Sequence, residues 1–202
     1  MVSSTVYGIE ELLDRIYAIL TAFGYEVWMS HKGTVPVVSS RTAFENCLNA
    51  VVKCDLFLCL ITTHYGSGRD GGDLSITHLE LLKAIQLNKP RWLLAHDHVV
   101  FARSLLRYLG YDDPARRSTL TLKKNQIIDD LRVIDMYEEA IRSQIPLPRR
   151  QGNWVQQFQT TDDAALFASA QFSRYQEVES FIKENMKNPD EIALRLKPKG
   201  RR

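Results

Sequence analysis

Cysteine is scarce in this sequence, and the few that occur do not suit a disulfide framework. Cys47, Cys54 and Cys59 are odd in number and closely spaced, and they lie within helical and strand patterns. A run of about 20 apolar residues is also missing, as is a basic segment followed by an apolar one at the start. We therefore expect buried free thiols in a protein of the reducing cytoplasm, with no membrane partner.

A strong excess of charge of either sign is absent as well. Lys and Arg number 26 against 24 Asp and Glu, and six of the basic residues lie in the last sixteen positions. The remaining body is slightly acidic, whereas a nucleic-acid-binding face needs clustered basic residues. We expect no nucleic-acid partner, and we expect residues 187–202 to form a basic, flexible tail.

Several motifs of known chemistry are missing. Neither a Walker nor a Rossmann glycine spacing occurs, and no Gly-x-Ser-x-Gly elbow indicates a hydrolase triad of that class. The histidines His64, His78, His96 and His98 follow no standard zinc spacing. The sequence therefore predicts no metal site and no bound cofactor.

Helical and strand patterns alternate along the chain. Helical stripes cover residues 9–23, 44–52, 76–87, 99–109, 127–142 and 162–186, and strand patterns cover residues 25–29, 56–61, 91–95 and 154–158. The unbroken apolar run at 56–61 predicts a central parallel strand buried on both faces. Strict alternation of strand and helix predicts an α/β, doubly wound, flavodoxin-like parallel sheet.

The domain organisation follows from the same patterns. We expect an α/β domain over residues 1–111 and a mainly helical C-terminal extension over residues 112–186 that packs on it. The start is unusual, because only two residues precede Ser3, Ser4 and Thr5, which have the pattern of a strand end and a helix cap. Either the first strand is very short, or this start lies within a longer reading frame.

The ligand crevice of an open α/β sheet lies outside the carboxyl ends of its strands. Here those ends are followed by residues 3–7, 29–36, 62–75 and 96–98, of which 62–75 holds four glycines. The helix after that glycine-rich loop carries Glu80 on a largely apolar surface, near the helix start, where the dipole favours an anion. An ion pair between Glu80 and Lys83 at a helix edge is the alternative, and the glycines also suit an ordinary flexible turn.

Residues spread over the first half of the chain carry a resemblance to a known family. They are Val2-Ser3-Ser4-Thr5, Asp55 before an apolar strand, Tyr65-Gly66-Ser67, Ser75-Ile76-Thr77 followed by Glu80 and Ala84, and Lys89-Pro90. Over roughly residues 1–111 this pattern resembles the bacterial TIR-like family of uncharacterised domains, which is similar to TIR domains and to nucleoside 2-deoxyribosyltransferases. The short first strand departs from the family pattern at Ser3 and Ser4.

The resemblance implies a TIR-like fold and an N-glycosidic substrate. Both related groups place a glutamate on the helix after the third strand, which implies a catalytic role for Glu80. Tyr7 or Trp28 would stack on nicotinamide or adenine. The implied substrate-binding residues are Ser4, Tyr7, Trp28, Tyr65, Gly66, Ser67 and Ser75.

Three functions are open at this point. The first is an NAD hydrolase or cyclase in bacterial defence or stress signalling, with NAD as substrate, a homo-oligomeric state and an effector protein as partner. The second is a nucleoside or nucleotide N-glycosidase or deoxyribosyltransferase-like enzyme. The third is a non-catalytic assembly or ligand-sensing module that uses the helical region of residues 162–186.

Overall fold

The computed structural model describes residues 1–66, 74–123 and 127–174. Its sheet has four parallel strands in the order β1 (Val2–Ser4), β2 (Phe57–Ile61), β3 (Arg91–His96) and β4 (Val155–Phe158). Strand β2 pairs with β1 and with β3, and all five of its residues are buried. The predicted central strand and the predicted α/β parallel fold are therefore confirmed, with a very short first strand.

Seven α-helices occur within the described residues, besides two 3₁₀ turns at Ser30–Lys32 and Leu147–Arg149. The α-helices are α1 (Glu10–Ala22), α2 (Ala43–Lys53), α3 (Ile76–Gln86), α4 (Asp97–Tyr108), α5 (Pro114–Arg117), α6 (Arg132–Ala140) and α7 (Thr161–Phe172). Thr42 and Thr160 begin α2 and α7 with capping boxes, which satisfy backbone N–H groups of the first turn. No helix in the described part of the chain is long and apolar enough to cross a membrane.

Some predicted helix boundaries differ from the structure. Helix α1 begins at Glu10 and has no side-chain cap, so the predicted cap at Ser3, Ser4 and Thr5 is wrong. Helix α6 begins at Arg132 rather than at residue 127, because Asp129 is held by the backbone N–H of Tyr65 instead of continuing the helical pattern. The predicted helix over 162–186 is observed as Thr161–Phe172 and ends at its C-cap Ser173, so its predicted continuation through residues 173 and 174 is wrong. Residues 175–186 and the predicted tail over 187–202 lie outside the described residues.

Helices cover both faces of the sheet. Helices α2, α3, α4 and α6 contribute to one apolar core, with Val51, Leu81, Val99 and Ile134 among its buried residues. Helices α1 and α7 pack on the other face, where Ile16 and Phe172 lie in a second core. This distribution gives a doubly wound, flavodoxin-like architecture.

Residues 25–29 do not form a strand of the sheet, so the strand predicted there is wrong. The segment runs beside β1, where the Val2 N–H donates to the Trp28 carbonyl at 2.9 Å. The Thr34 hydroxyl donates to the Val27 carbonyl at 2.7 Å and accepts from the Met29 N–H at 2.9 Å. Since β1 has only three residues, Thr34 rather than a strand partner satisfies these backbone groups.

Candidate functional site around Glu80

A buried polar cluster lies where α2 and α3 meet the first two strands. Ser3 on β1 is paired with Cys59 on β2, Cys47 comes from α2, and Glu80 comes from α3. Glu80 is 5% exposed, although a charged glutamate in a protein interior requires compensating partners. A carboxyl group therefore lies inside the fold next to the central pair of strands.

The partners of Glu80 are donors. The Ser3 hydroxyl donates a hydrogen bond to Oε2 of Glu80, and the Cys47 thiol lies beside the same carboxylate and helps to lower its pKa. Burial raises the pKa of Glu80 from 4.5 to about 7, although the bond from Ser3 and the nearby Cys47 thiol act in the opposite direction. Glu80 thus changes its protonation state near neutral pH.

The two thiols of the cluster remain protonated donors. Burial, followed by the nearby Glu80 charge, raises the pKa of Cys47 to about 11. The same two causes raise the pKa of Cys59, which is fully buried on β2. Neither thiol is therefore a thiolate nucleophile at neutral pH.

Glu80 does not form the alternative ion pair with Lys83. The Lys83 ammonium group donates to the Gln86 side chain at 3.1 Å. Glu80 lies instead on the buried face of α3, together with Leu81 and Ala84. Its environment is the apolar surface that the helical pattern indicated.

A second buried chain of hydrogen bonds lies close to the glycine-rich loop. The Tyr65 hydroxyl bonds Nδ1 of His78 at 2.7 Å, and Nε2 of His78 bonds the Glu139 carboxylate at 2.9 Å. The guanidinium group of Arg132 lies 4.7 Å from the centre of the Tyr65 ring. This chain of hydrogen bonds ties both flanks of the loop to α6. No local sequence pattern indicates His78 or Glu139 as partners of Tyr65.

Three predicted substrate-binding residues have structural roles at the carboxyl end of β2. The ring hydroxyl of Tyr65 accepts from the Ser75 N–H at 3.3 Å, and the Ser75 hydroxyl caps α3 by accepting from the His78 N–H. Gly66 has a φ of 94°, and a Cβ there would lie 3.1 Å from Oγ1 of Thr5. A side chain at residue 66 would therefore be both strained and crowded.

The remaining predicted residues are not all brought to Glu80. The Ser4 hydroxyl donates to the Leu60 carbonyl at 3.2 Å, and Tyr7 is 61% exposed after β1. Trp28 lines a cavity of about 400 Å³ with Asp55 and Leu56, at the amino ends of the strands. Trp28 also packs against the core that contains Leu81 of α3, and Ser67 lies outside the described residues.

One group of potential metal ligands occurs at the carboxyl end of β3. His96, Asp97 and His98 each place one ligating atom within 4.8 Å of the others. Residues 96–98 follow a strand end of the predicted ligand edge, but their spacing resembles no standard zinc motif. Their proximity in the fold therefore indicates a candidate metal site that the sequence spacing did not predict.

A comparison with known families gives one match. The family described as "Domain of unknown function (DUF4062)" matches residues 1–166, from β1 into α7. No curated protein matches the chain, and no solved structure matches it. The predicted membership of a family of uncharacterised domains is confirmed, while similarity to TIR domains and deoxyribosyltransferases stays a prediction.

Proposed function

The chain belongs to this family of domains of unknown function. From the geometry around Glu80 we propose that it is an enzyme that cleaves N-glycosidic bonds, with NAD as its substrate. One observation supports this function above the others. Glu80 is a buried carboxyl group with a pKa of about 7, held by a hydrogen bond from Ser3 next to the central strands. Perturbed carboxyl groups of this kind are frequent at catalytic sites.

The chemistry needs one ionised carboxylate. The bond between ribose C1′ and the nicotinamide nitrogen breaks, and its electron pair leaves with nicotinamide. The ribosyl cation that remains is stabilised or captured by the Glu80 carboxylate, as in glycoside cleavage, and water or an internal nucleophile then adds to C1′. The low dielectric around Glu80 strengthens this electrostatic stabilisation.

The position in the fold also suits a ligand site. Ser3 lies on β1, between β2 on one side and the extended segment of residues 25–29 on the other. In flavodoxin-like sheets ligands bind where successive chain segments are added on opposite sides of a strand. Here the chain passes from β1 to the extended segment of residues 25–29 on one side and then to β2 on the other, although that segment is not a strand of the sheet. Because Glu80 is 5% exposed, ribose binding requires neighbouring side chains to move aside.

A second candidate function is a non-catalytic assembly module, and a different observation supports it. Helix α4 carries a row of exposed apolar side chains: Phe101 is 68% exposed, Leu105 46% and Tyr108 94%. Their spacing places them along one helix face, which suits contact with a second copy of the chain. The same face would also serve a homo-oligomeric enzyme.

The cellular setting is proposed on the resemblance to TIR-like domains. It comprises the cytoplasm, bacterial defence or stress signalling, and an effector protein as partner. The nucleoside 2-deoxyribosyltransferase resemblance supports a nucleoside or nucleotide as the alternative substrate.

A turnover experiment separates these functions. The purified chain is incubated with NAD and, separately, with a nucleoside mixture, and products are identified by mass spectrometry. We expect nicotinamide release and a loss of about 100-fold or more in Glu80→Gln, equivalent to about 3 kcal/mol of transition-state stabilisation. Glu10→Gln, an exposed glutamate of α1, is the matched control and should retain the rate.

The other outcomes are equally informative. Release of a nucleobase with no release of nicotinamide would favour the nucleoside enzyme. Absence of both products, together with concentration-dependent light scattering that Phe101→Ser abolishes, would favour the assembly module. A Glu80→Gln variant that cleaves NAD at the parental rate would contradict the proposed role of Glu80.

A further inference from the structure

We propose that His96, Asp97 and His98 form a binding site for a divalent transition-metal ion of the zinc class. His96 is the last residue of β3, and Asp97 and His98 form the start of α4. The group therefore lies at the carboxyl edge of the sheet, where parallel α/β folds place their ligand sites. It is separate from Glu80, whose partners come from β1 and α2.

The donor set matches this class of metal. Two imidazoles and one carboxylate bind zinc and related ions, and three protein ligands leave positions open for water or substrate. Nδ1 of His96 lies 2.8 Å from Oδ1 of Asp97, and Nε2 of His98 lies 4.0 Å from the same oxygen. Metal bonds of about 2.0–2.2 Å place neighbouring ligands roughly 3 Å apart, so a small rotation of His98 completes the set.

An unsatisfied atom provides the second observation. Oδ1 of Asp97 is buried and, among the described residues, has no hydrogen-bond donor. Nδ1 of His96, 2.8 Å away, already accepts a hydrogen bond from the His98 N–H at 3.2 Å. A cation bound between the two atoms would satisfy Oδ1 of Asp97 and would take the Nδ1 lone pair of His96 in place of the 3.2 Å bond from the His98 N–H.

The surroundings hold the His96 side chain in place and leave the His98 side chain free to rotate. The His96 ring packs edge-on against Phe158 of β4, with ring centres 5.4 Å apart. The side chain of His98 is 48% exposed and can turn toward the other two ligands. The positive end of the α4 dipole opposes a cation, but the Asp97 carboxylate supplies the compensating negative charge.

Metal titration tests the site directly. The metal-free chain is titrated with Zn²⁺ by calorimetry and with Co²⁺ by visible absorption spectroscopy. We expect one ion per chain and a Co²⁺ spectrum of low coordination number. His98→Ala and Asp97→Asn should each weaken binding about 10-fold or more, a loss typical for removed metal-site groups.

Two controls make the result specific. His31 also lies beside a carboxylate, 2.7 Å from Asp14, without a third ligand among the described residues. His31→Ala should leave the affinity unchanged, and Glu80→Gln should retain Zn²⁺ binding even if the proposed NAD cleavage fails. No saturable binding, or equal affinity in the parent, His98→Ala and Asp97→Asn, would overturn the proposal.

Discussion

The buried Glu80 carboxyl group should make the folded protein less stable as the pH rises toward neutrality. Its pKa is about 7 in the folded state, against 4.5 as the ordinary value, mainly because of burial. Between these values the folded chain keeps a proton that the unfolded chain has lost. The stability that Glu80 contributes is therefore complete below about pH 4.5 and is lost as the pH rises through about 7.

The size of the effect follows from the two pKa values. The difference between 4.5 and about 7 corresponds to about 3 kcal/mol of unfolding free energy. Because Glu80 is 5% exposed, screening by solvent reduces this amount little. A loss of about 3 kcal/mol is a large part of the total stability of a typical domain.

The test is urea unfolding of the parent and of Glu80→Gln at about pH 5 and about pH 8. Glutamine keeps the size of the side chain but cannot ionise, so between these two pH values the variant should lack about 2.5 kcal/mol of the pH dependence of the parent. Glu10→Gln is the exposed control and should keep that dependence. An identical pH dependence in the parent and in Glu80→Gln would refute the assignment.

Three further predictions concern other consequences of the two buried clusters. If Glu80 acts as a carboxylate, kcat/KM for NAD should rise with an apparent pKa of about 7, and a flat pH profile would contradict this. His78→Gln should destabilise the fold by about 1–3 kcal/mol in urea unfolding, because the buried Tyr65 hydroxyl loses its bond to the imidazole, whereas His64→Gln, half-buried, should cost less. Cys47 and Cys59, with raised pKa values, should react with iodoacetamide much more slowly in the native than in the urea-unfolded chain, as peptide mass spectrometry can measure.

The main elements of the fold could be predicted because their signals are local. The apolar run of residues 56–61 is too short for a helix and suits a buried strand, and the structure places that strand at Phe57–Ile61. The predicted helix over 76–87 is observed at Ile76–Gln86, where Ser75 supplies a side-chain cap. Periodicity and capping are properties of adjacent residues, so they are visible in the sequence.

Features that depend on distant partners could not be predicted in the same way. The pattern of residues 25–29 suits a strand. Whether such a segment joins the sheet depends on the length of the strand beside it, and β1 has only three residues. The apolar surface around Glu80 was visible in the helical pattern, whereas its bond to Ser3 spans 77 residues of sequence. His78 and Glu139 are 61 residues apart, and no periodic pattern joins them.

The packing of α1 against α7 has a consequence for synthesis on the ribosome. The apolar face of α1, which includes Leu13 and Ile16, is covered by residues of α7 such as Ala164 and Phe172. Helix α7 leaves the ribosome about 140 residues after α1, which at about 5–20 residues per second takes roughly 7–28 s. During that interval the part of α1 that α7 covers stays exposed, so we expect the nascent chain to be more prone to aggregation than the finished chain.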